Sequence, residues 1–269
     1  MGTDQYNAIV VQKILVTRSL MIIRTKLDGI QPDFKPGQYT VLGVTSNESR
    51  IKESGFEDKT YDKETLLKRA YSISSASTEK DYLEFYISLV RSGQLTPRLF
   101  ALERGDRLFI GKKAVGLFTL DKAPRNKNIL FVATGTGLAP YMSMIRTELD
   151  LKEPRKFVVL QGARYSWDLG YRDELATLDK IAELFYYIPA ITRPSSDLSW
   201  SGLTGRIQSL VESGVIEEKT GLELTPDNFD VFLCGYPLMV DEVSELLVSK
   251  GFIVDEKKKT GNVHREKYW

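Results

Sequence analysis

Near residue 120 the hydrophobic pattern of this chain changes period, and that change limits what the chain can fold into. From residue 6 to about 118, short runs rich in Val, Ile, Tyr and Thr alternate with turn-forming clusters: "AIVVQKILVTR", "SLMIIRTK", "QYTVLGVTS", "AYSISSAS", "YLEFYISLV" and "DRLFIGKK". Many short strands with polar breaks, and one helix-like piece at "TPRLFALE", predict an antiparallel barrel or sandwich. After the polar connector "LDKAPRNKN", apolar runs at 129–134, 157–162, 184–191 and 230–234 alternate with helical patterns at about 137–150, 171–182, 205–213 and 237–250. That is the rhythm of a parallel sheet covered on both faces. A chain of 269 residues suits two such domains: an N-terminal antiparallel β-barrel over 1–120 and a C-terminal α/β parallel-sheet domain over 128–269.

Composition removes several function classes. Lys and Arg number 37 against 36 Asp and Glu, so the net charge of +1 gives no case for a nucleic-acid partner. The longest apolar runs fall far short of the ~20 residues that cross a bilayer. The opening "MGTDQYNAIV" has no charged region followed by an apolar core and a cleavage site, so a cytoplasmic protein without membrane attachment is expected. One cysteine, Cys234, and one histidine, His264, leave no internal disulfide, four-cysteine cluster or usual zinc set. Redox chemistry would have to come from an organic cofactor.

The stretch "FVATGTGLAPYM", 131–142, has the form of a strand entering a glycine turn and then a helix. Gly135 and Gly137 allow a sharp turn and a close approach to a pyrophosphate, and Pro140 suits a first helical turn. Ala139 fills the place of the third glycine of the usual fingerprint. Taken alone, the turn fits a dinucleotide site and a tight strand-helix junction equally well. An NAD site would carry an acidic residue past the second strand, whereas "FVVLQGARY" places Arg164 there, which suits a 2′-phosphate. Arg193 in "ITRPSS" and Arg206 in "GLTGRIQ" occupy comparable positions, although each by itself reads as an ordinary surface arginine.

The barrel half carries a second signature. "RAYSISS" sets Arg69 and Tyr71 on one face of a strand with Ser72 beside them, a cation next to a flat ring; an amphipathic strand with a wet polar face would look the same. In "SGQLTPRLF", Thr96 reads as an N-cap and Pro97 as the first helical residue, making a helix start that can meet an anion. The charged stretch 46–68 reads as a long solvated loop.

In order, "RAYS", "LEFYISLVRSGQLTPRL", "ATGTGLAPY", "LQGARY", "GLTGRI", "LCGYPLM" and a terminal "YW" cover almost the whole chain. This series resembles the bacterial ferredoxin/flavodoxin-NADP reductases, in the branch of the plant-type ferredoxin reductase superfamily that ends in Tyr-Trp. The resemblance implies an FAD-binding barrel and an NADP-binding domain whose C-terminal tail returns to the flavin. It also implies hydride transfer between NADPH and FAD, and one-electron exchange with an acidic ferredoxin or flavodoxin by a monomer. Arg69, Ala70, Tyr71, Ser72, Tyr86, Ile87, Ser88, Gln94, Leu95, Thr96, Thr136, Tyr268 and Trp269 would then serve FAD, with Ser72 near the flavin atom that receives hydride. Gly135, Gly137, Arg164, Arg193, Arg206, Cys234 and Gly235 would serve NADP, with Cys234 beside the nicotinamide; a buried structural cysteine fits that place as well.

For His264 and Glu266 a solvated tail is the favoured reading over a proton relay, and for Lys257–Lys259 a solvated face over a docking patch. Ser75 has no assigned role. Two other functions share these folds. An NAD(P)H-flavin reductase, or the electron-entry reductase component of an oxygenase, is disfavoured in its NADH-linked form by the three arginines; a nucleotide-sensing or subunit-assembly module is disfavoured by intact "RAYS" and "GQLTP".

Overall fold

A computed structural model describes residues 5–57, 59, 61, 64–149, 154–257 and 259–268. Its contacts divide the chain into two compact units, Met1–Thr119 with Ala139–Thr147, and Leu120–Leu138 with Glu148–Trp269.

The first unit is an antiparallel sheet of six strands: β1 (Ala8–Thr17), β2 (Leu20–Leu27), β3 (Tyr39–Thr45), β4 (Leu66–Ser72), β5 (Leu83–Ser88) and β6 (Arg107–Ile110). Their order is β4-β3-β6-β1-β2-β5. An antiparallel bridge between Ile73 and Phe85, and a Ser74 N–H donating to the Glu84 carbonyl at 2.8 Å, join the two ends. The two ends of the sheet meet there, and it closes into a barrel. Alternating residues such as Met21, Ile23, Leu42, Val44, Phe85 and Ile87 fill its interior, each fully buried side chain contributing about 1.5–3 kcal/mol.

A short helix, α1 (Thr96–Ala101), sits between β5 and β6. Here the expected cap is displaced: Leu95 stands at the cap with φ −90 and ψ −49, and Thr96 is already helical. The Thr96 hydroxyl is engaged elsewhere, accepting from Val90 N at 2.9 Å and donating to Val90 O at 3.1 Å.

The second helix, α2 (Ala139–Glu148), belongs with the barrel through Thr147. Arg146 donates to the buried Glu84 carboxylate at 2.6 Å and to the Ser74 carbonyl at 2.8 Å, and Thr147 accepts from Ser77 N at 2.9 Å. Arg24 approaches the other Glu84 oxygen at 2.7 Å. A carboxylate with no solvent exposure is tolerated here because two guanidiniums and the Ser74 hydroxyl surround it.

The second unit is a six-stranded parallel sheet of β7 (Asn128–Thr134), β8 (Phe157–Ala163), β9 (Phe185–Ile191), β10 (Leu203–Thr204), β11 (Phe229–Gly235) and β12 (Val263–Lys267), in the order β10-β9-β8-β7-β11-β12. Its helices are α3 (Arg172–Ile181), α4 (Ile207–Glu212), α5 (Val215–Thr220) and α6 (Pro237–Ser249). One face, with Leu130, Val132, Val158 and Leu160, packs on α4, α5 and α6. The other carries a row of rings: Phe157 and Phe131 at 6.1 Å, Phe131 and Phe232 at 5.9 Å, and Phe232 and His264 at 4.4 Å between centroids. No helix among the described residues is long and apolar enough to cross a membrane.

The strands of this sheet that the sequence patterning misses are the two-residue β10 and β12. His264, expected in a solvated tail, is 2 % exposed and lies between two carboxylates, Asp230 at 3.1 Å and Asp255 at 3.5 Å. Its partners come from distant positions in the chain, so no local pattern announces the burial.

Candidate functional site

In the first unit, β4 pairs with β3 so that Leu42 lies opposite Arg69 and Thr40 opposite Tyr71. Arg69 and Tyr71 therefore share one face, as alternation requires. Arg69 is exposed and donates one N–H to the Lys68 carbonyl at 2.7 Å, leaving most of its fork outward. Tyr71 packs partly against the barrel core. Burial pushes its phenol well above the ordinary range, with the Arg69 charge opposing only in part, so the ring is neutral. An open guanidinium beside a neutral flat ring fits a phosphate joined to a planar ring system. Ala70 is exposed and Ser72 is buried on the opposite strand face from Tyr71.

On β5, Ile87 points into the core, so only its backbone is available to a ligand, while Tyr86 and the half-buried Ser88 lie on the other face. At the start of α1, Leu95 is also a core residue and the Gln94 carbonyl accepts from Arg98 at 2.7 Å. Arg98, which the sequence reading passes over, is 4 % exposed. It donates to the Ser46 carbonyl at 2.7 Å and reaches both Glu57 oxygens at 2.9 Å. Arg50 meets Glu57 at 3.0 Å and the Gly55 carbonyl at 2.9 Å. Residues 46–57 are thus anchored to α1 at Ser46, Ile51 and Glu57, two cations sharing one carboxylate, while Lys52, Glu53, Gly55 and Phe56 stay exposed as a solvated loop would have them. Positions 58, 60, 62 and 63 lie outside the described residues.

In the second unit, the chain starts at β7, winds through β8 and β9 to β10, then returns to β11 on the other side of β7. The crevice at the carboxyl ends of β7 and β11 is the switch point where doubly wound sheets bind ligands. Gly135–Leu138 form a 3-10 turn there, containing the half-buried Thr136. A Cβ on Gly137 would overlap the Cys234 carbonyl, and one on Gly235, at φ +136, would overlap Thr134. Gly135, at φ +55, faces open space, with nothing within 4 Å of a built Cβ. The Thr134 hydroxyl accepts from Tyr236 N at 3.0 Å and ties the two strand ends. Backbone packed this closely, with room above Gly135, suits a pyrophosphate.

The three arginines stand at the carboxyl ends of adjacent strands. Arg193 N donates to the Arg164 carbonyl at 3.0 Å, and Gly205 N donates to Ile191 O at 2.9 Å, so Arg164, Arg193 and Arg206 follow three neighbouring strands. All three are exposed. Cys234 is fully buried at the end of β11, and burial first, then the Glu266 charge, pushes its thiol well above the usual range against a Tyr268 hydrogen bond. It stays a neutral, polarizable group. Parallel pairing sets Glu266 opposite Cys234, and Tyr268 N donates to Gly235 O at 3.2 Å. Trp269 lies outside the described residues.

A closed antiparallel barrel with a cation-and-ring strand, and a doubly wound sheet with a glycine crevice and an arginine edge, define a two-domain flavin and nicotinamide-dinucleotide oxidoreductase. Residues 131–245 match the family model for the oxidoreductase NAD-binding domain. The chain is 33% identical over 238 residues to a flavodoxin/ferredoxin-NADP reductase of Buchnera aphidicola subsp. Baizongia pistaciae, covering 88% of each. It is 33% identical over 237 residues to the Escherichia coli K12 flavodoxin/ferredoxin-NADP reductase, again covering 88% of each. A crystal structure of a ferredoxin NADP+ reductase from Neisseria gonorrhoeae with bound FAD and NADP superposes with a TM-score of 0.81 over 98% of both chains, at 24% identity. The chain belongs to the flavodoxin/ferredoxin-NADP reductase family.

Proposed function

We propose that this chain carries electrons between NADPH and a ferredoxin or flavodoxin, with FAD and NADP as its cofactors. The crevice at Gly135, Gly137 and Gly235, flanked by an edge of three arginines, is the observation that carries the NADP assignment. FAD supplies the conversion between a two-electron hydride and single electrons. Arg69 binds the FAD pyrophosphate, Tyr71 packs on the flavin ring and Ser72 donates a hydrogen bond near the flavin nitrogen that receives hydride. Tyr86 and Ser88, with the Ile87 backbone, follow the flavin and its ribityl chain, and Gln94, Leu95 and Thr96 offer backbone groups to phosphate.

Gly135 and Gly137 admit the NADP pyrophosphate, with Thr136 between them. Arg164, Arg193 and Arg206 bind the 2′-phosphate, which separates NADPH from NADH. Cys234 and Gly235 seat the nicotinamide, and Tyr268 and Trp269 are assigned to FAD. The working form in this reading is a cytoplasmic monomer. Stopped-flow reduction with NADPH and with NADH, following flavin bleaching, tests it: NADPH should be strongly preferred, and equal use of NADH would sink the arginine assignment.

A further inference from the structure

Just past Arg164, Tyr165 and Trp167 are stacked, with centroids 4.7 Å apart and planes inclined by 11°. The Arg193 guanidinium lies 5.7 Å from the centre of the Tyr165 ring and donates to its hydroxyl at 3.2 Å. Trp167 and Arg193 thus crowd Tyr165, and it has little ring left for a ligand. Trp167 is different: it stacks on Tyr165 yet stays 49 % exposed. The nearby Trp200 is committed, with Arg172 at 5.0 Å over its ring and its indole N–H donating to Leu203 O at 2.9 Å.

The turn that carries Trp167 is held in place. Ser166–Asp168 form a 3-10 turn, and Ser166 N donates to Asp197 Oδ2 at 2.7 Å. Asp197 is 3 % exposed and also accepts from the Ser199 hydroxyl at 2.9 Å. A fixed, flat, half-open indole three residues from Arg164, with Arg193 against its stacking partner, presents a base-sized surface on the loop that follows β8.

We propose that Trp167 is the stacking platform for the adenine base of NADP. The inference rests on reading this edge as the NADP site, and goes beyond it by naming the residue that takes the base. Aromatic stacking gives a purine affinity without a hydrogen-bond code, while the arginines select the 2′-phosphate. Division of labour of this kind makes base and phosphate contributions separable by experiment.

The test is titration of the FAD-loaded protein with 2′,5′-ADP, followed by calorimetry and by tryptophan emission, with flavin absorbance as the folding control. Trp167→Ala should weaken binding roughly tenfold, the order of one base-aromatic stack. Trp167→Phe, which keeps a ring, should recover most of the affinity while losing the ligand-induced change in emission. Wild-type affinity in Trp167→Ala, or an unchanged emission response in Trp167→Phe, would overturn the proposal and leave the NADP reading intact. If the wild type binds 2′,5′-ADP no better than 5′-AMP, which lacks only the 2′-phosphate, the NADP reading itself fails, and the proposal with it.

Discussion

His264 Nε2 lies 3.1 Å from Asp230 Oδ1 with both side chains buried, so β12 is tied to β11 by a side-chain contact as well as by backbone pairing. His264→Ala would leave the Asp230 carboxylate buried without this donor and would remove the ring contact with Phe232. Leaving a buried polar group unsatisfied costs about 1–3 kcal/mol. The urea midpoint should fall by a corresponding amount with an unchanged m-value. An unmoved midpoint would show that the pair contributes nothing.

Glu57 gives a pH-dependent prediction. Its carboxyl is held below the ordinary carboxylate range chiefly by Arg98, against a burial effect that raises it, with Arg50 adding to the lowering. Because the folded value is the depressed one, the docking of 46–57 is complete above the unfolded carboxylate range and is lost as pH falls through the folded value. Hydrogen exchange, corrected for intrinsic rates, should show this segment opening on acidification before the barrel strands open. Glu57→Gln should open it at neutral pH; continued protection there would contradict the role given to the Arg98 contact.

The two glycines of the 135–138 turn should respond differently to alanine. In Gly137→Ala the new methyl meets the Cys234 backbone, which cannot give way as a flexible side chain can. A loss of about 1–3 kcal/mol in stability is expected. Gly135→Ala meets no atom within 4 Å but forces an L-residue to φ +55, at about 1–2 kcal/mol. Its methyl also enters the space assigned to pyrophosphate, so KM for NADPH should rise severalfold. Thermal melts and NADPH kinetics on both variants separate a packing defect from a binding defect.

Cys234 is the chain's one thiol, and its burial makes it a built-in reporter. With the thiol held protonated by burial and the Glu266 charge, iodoacetamide at pH 8 should label the folded protein far more slowly than the urea-unfolded chain. Comparable rates would mean that the end of β11 opens readily.

How much of this was legible in the sequence depends on how far apart the deciding residues lie. The β-rich run "LMIIRTK" and the apolar runs at β7, β8, β9 and β11 announce their strands, because each carries its buried residues in a local pattern. The polar "VHREK" of β12 does not, since what buries His264 is Asp230, 34 positions away. Thr96 looked like a cap because its residue type fits one, yet Val90, six positions back, claims the hydroxyl. Arg69 and Tyr71 on one face follow from the two-residue period of a strand. The Tyr165–Trp167 stack and the Arg98–Glu57 contact were invisible, because they depend on a turn and on a loop whose course no periodicity describes.

The barrel unit is made from two separate pieces of chain, and this limits how the protein can be taken apart. A fragment ending at Thr119 would carry Glu84 into the barrel wall without Arg146, one of the two cations that make its burial tolerable. Swapping the second half for that of a relative would likewise import a foreign α2 onto this Glu84. Exchange of modules between such proteins is therefore constrained at this contact: the recipient barrel and the incoming helix must already agree on one buried charge.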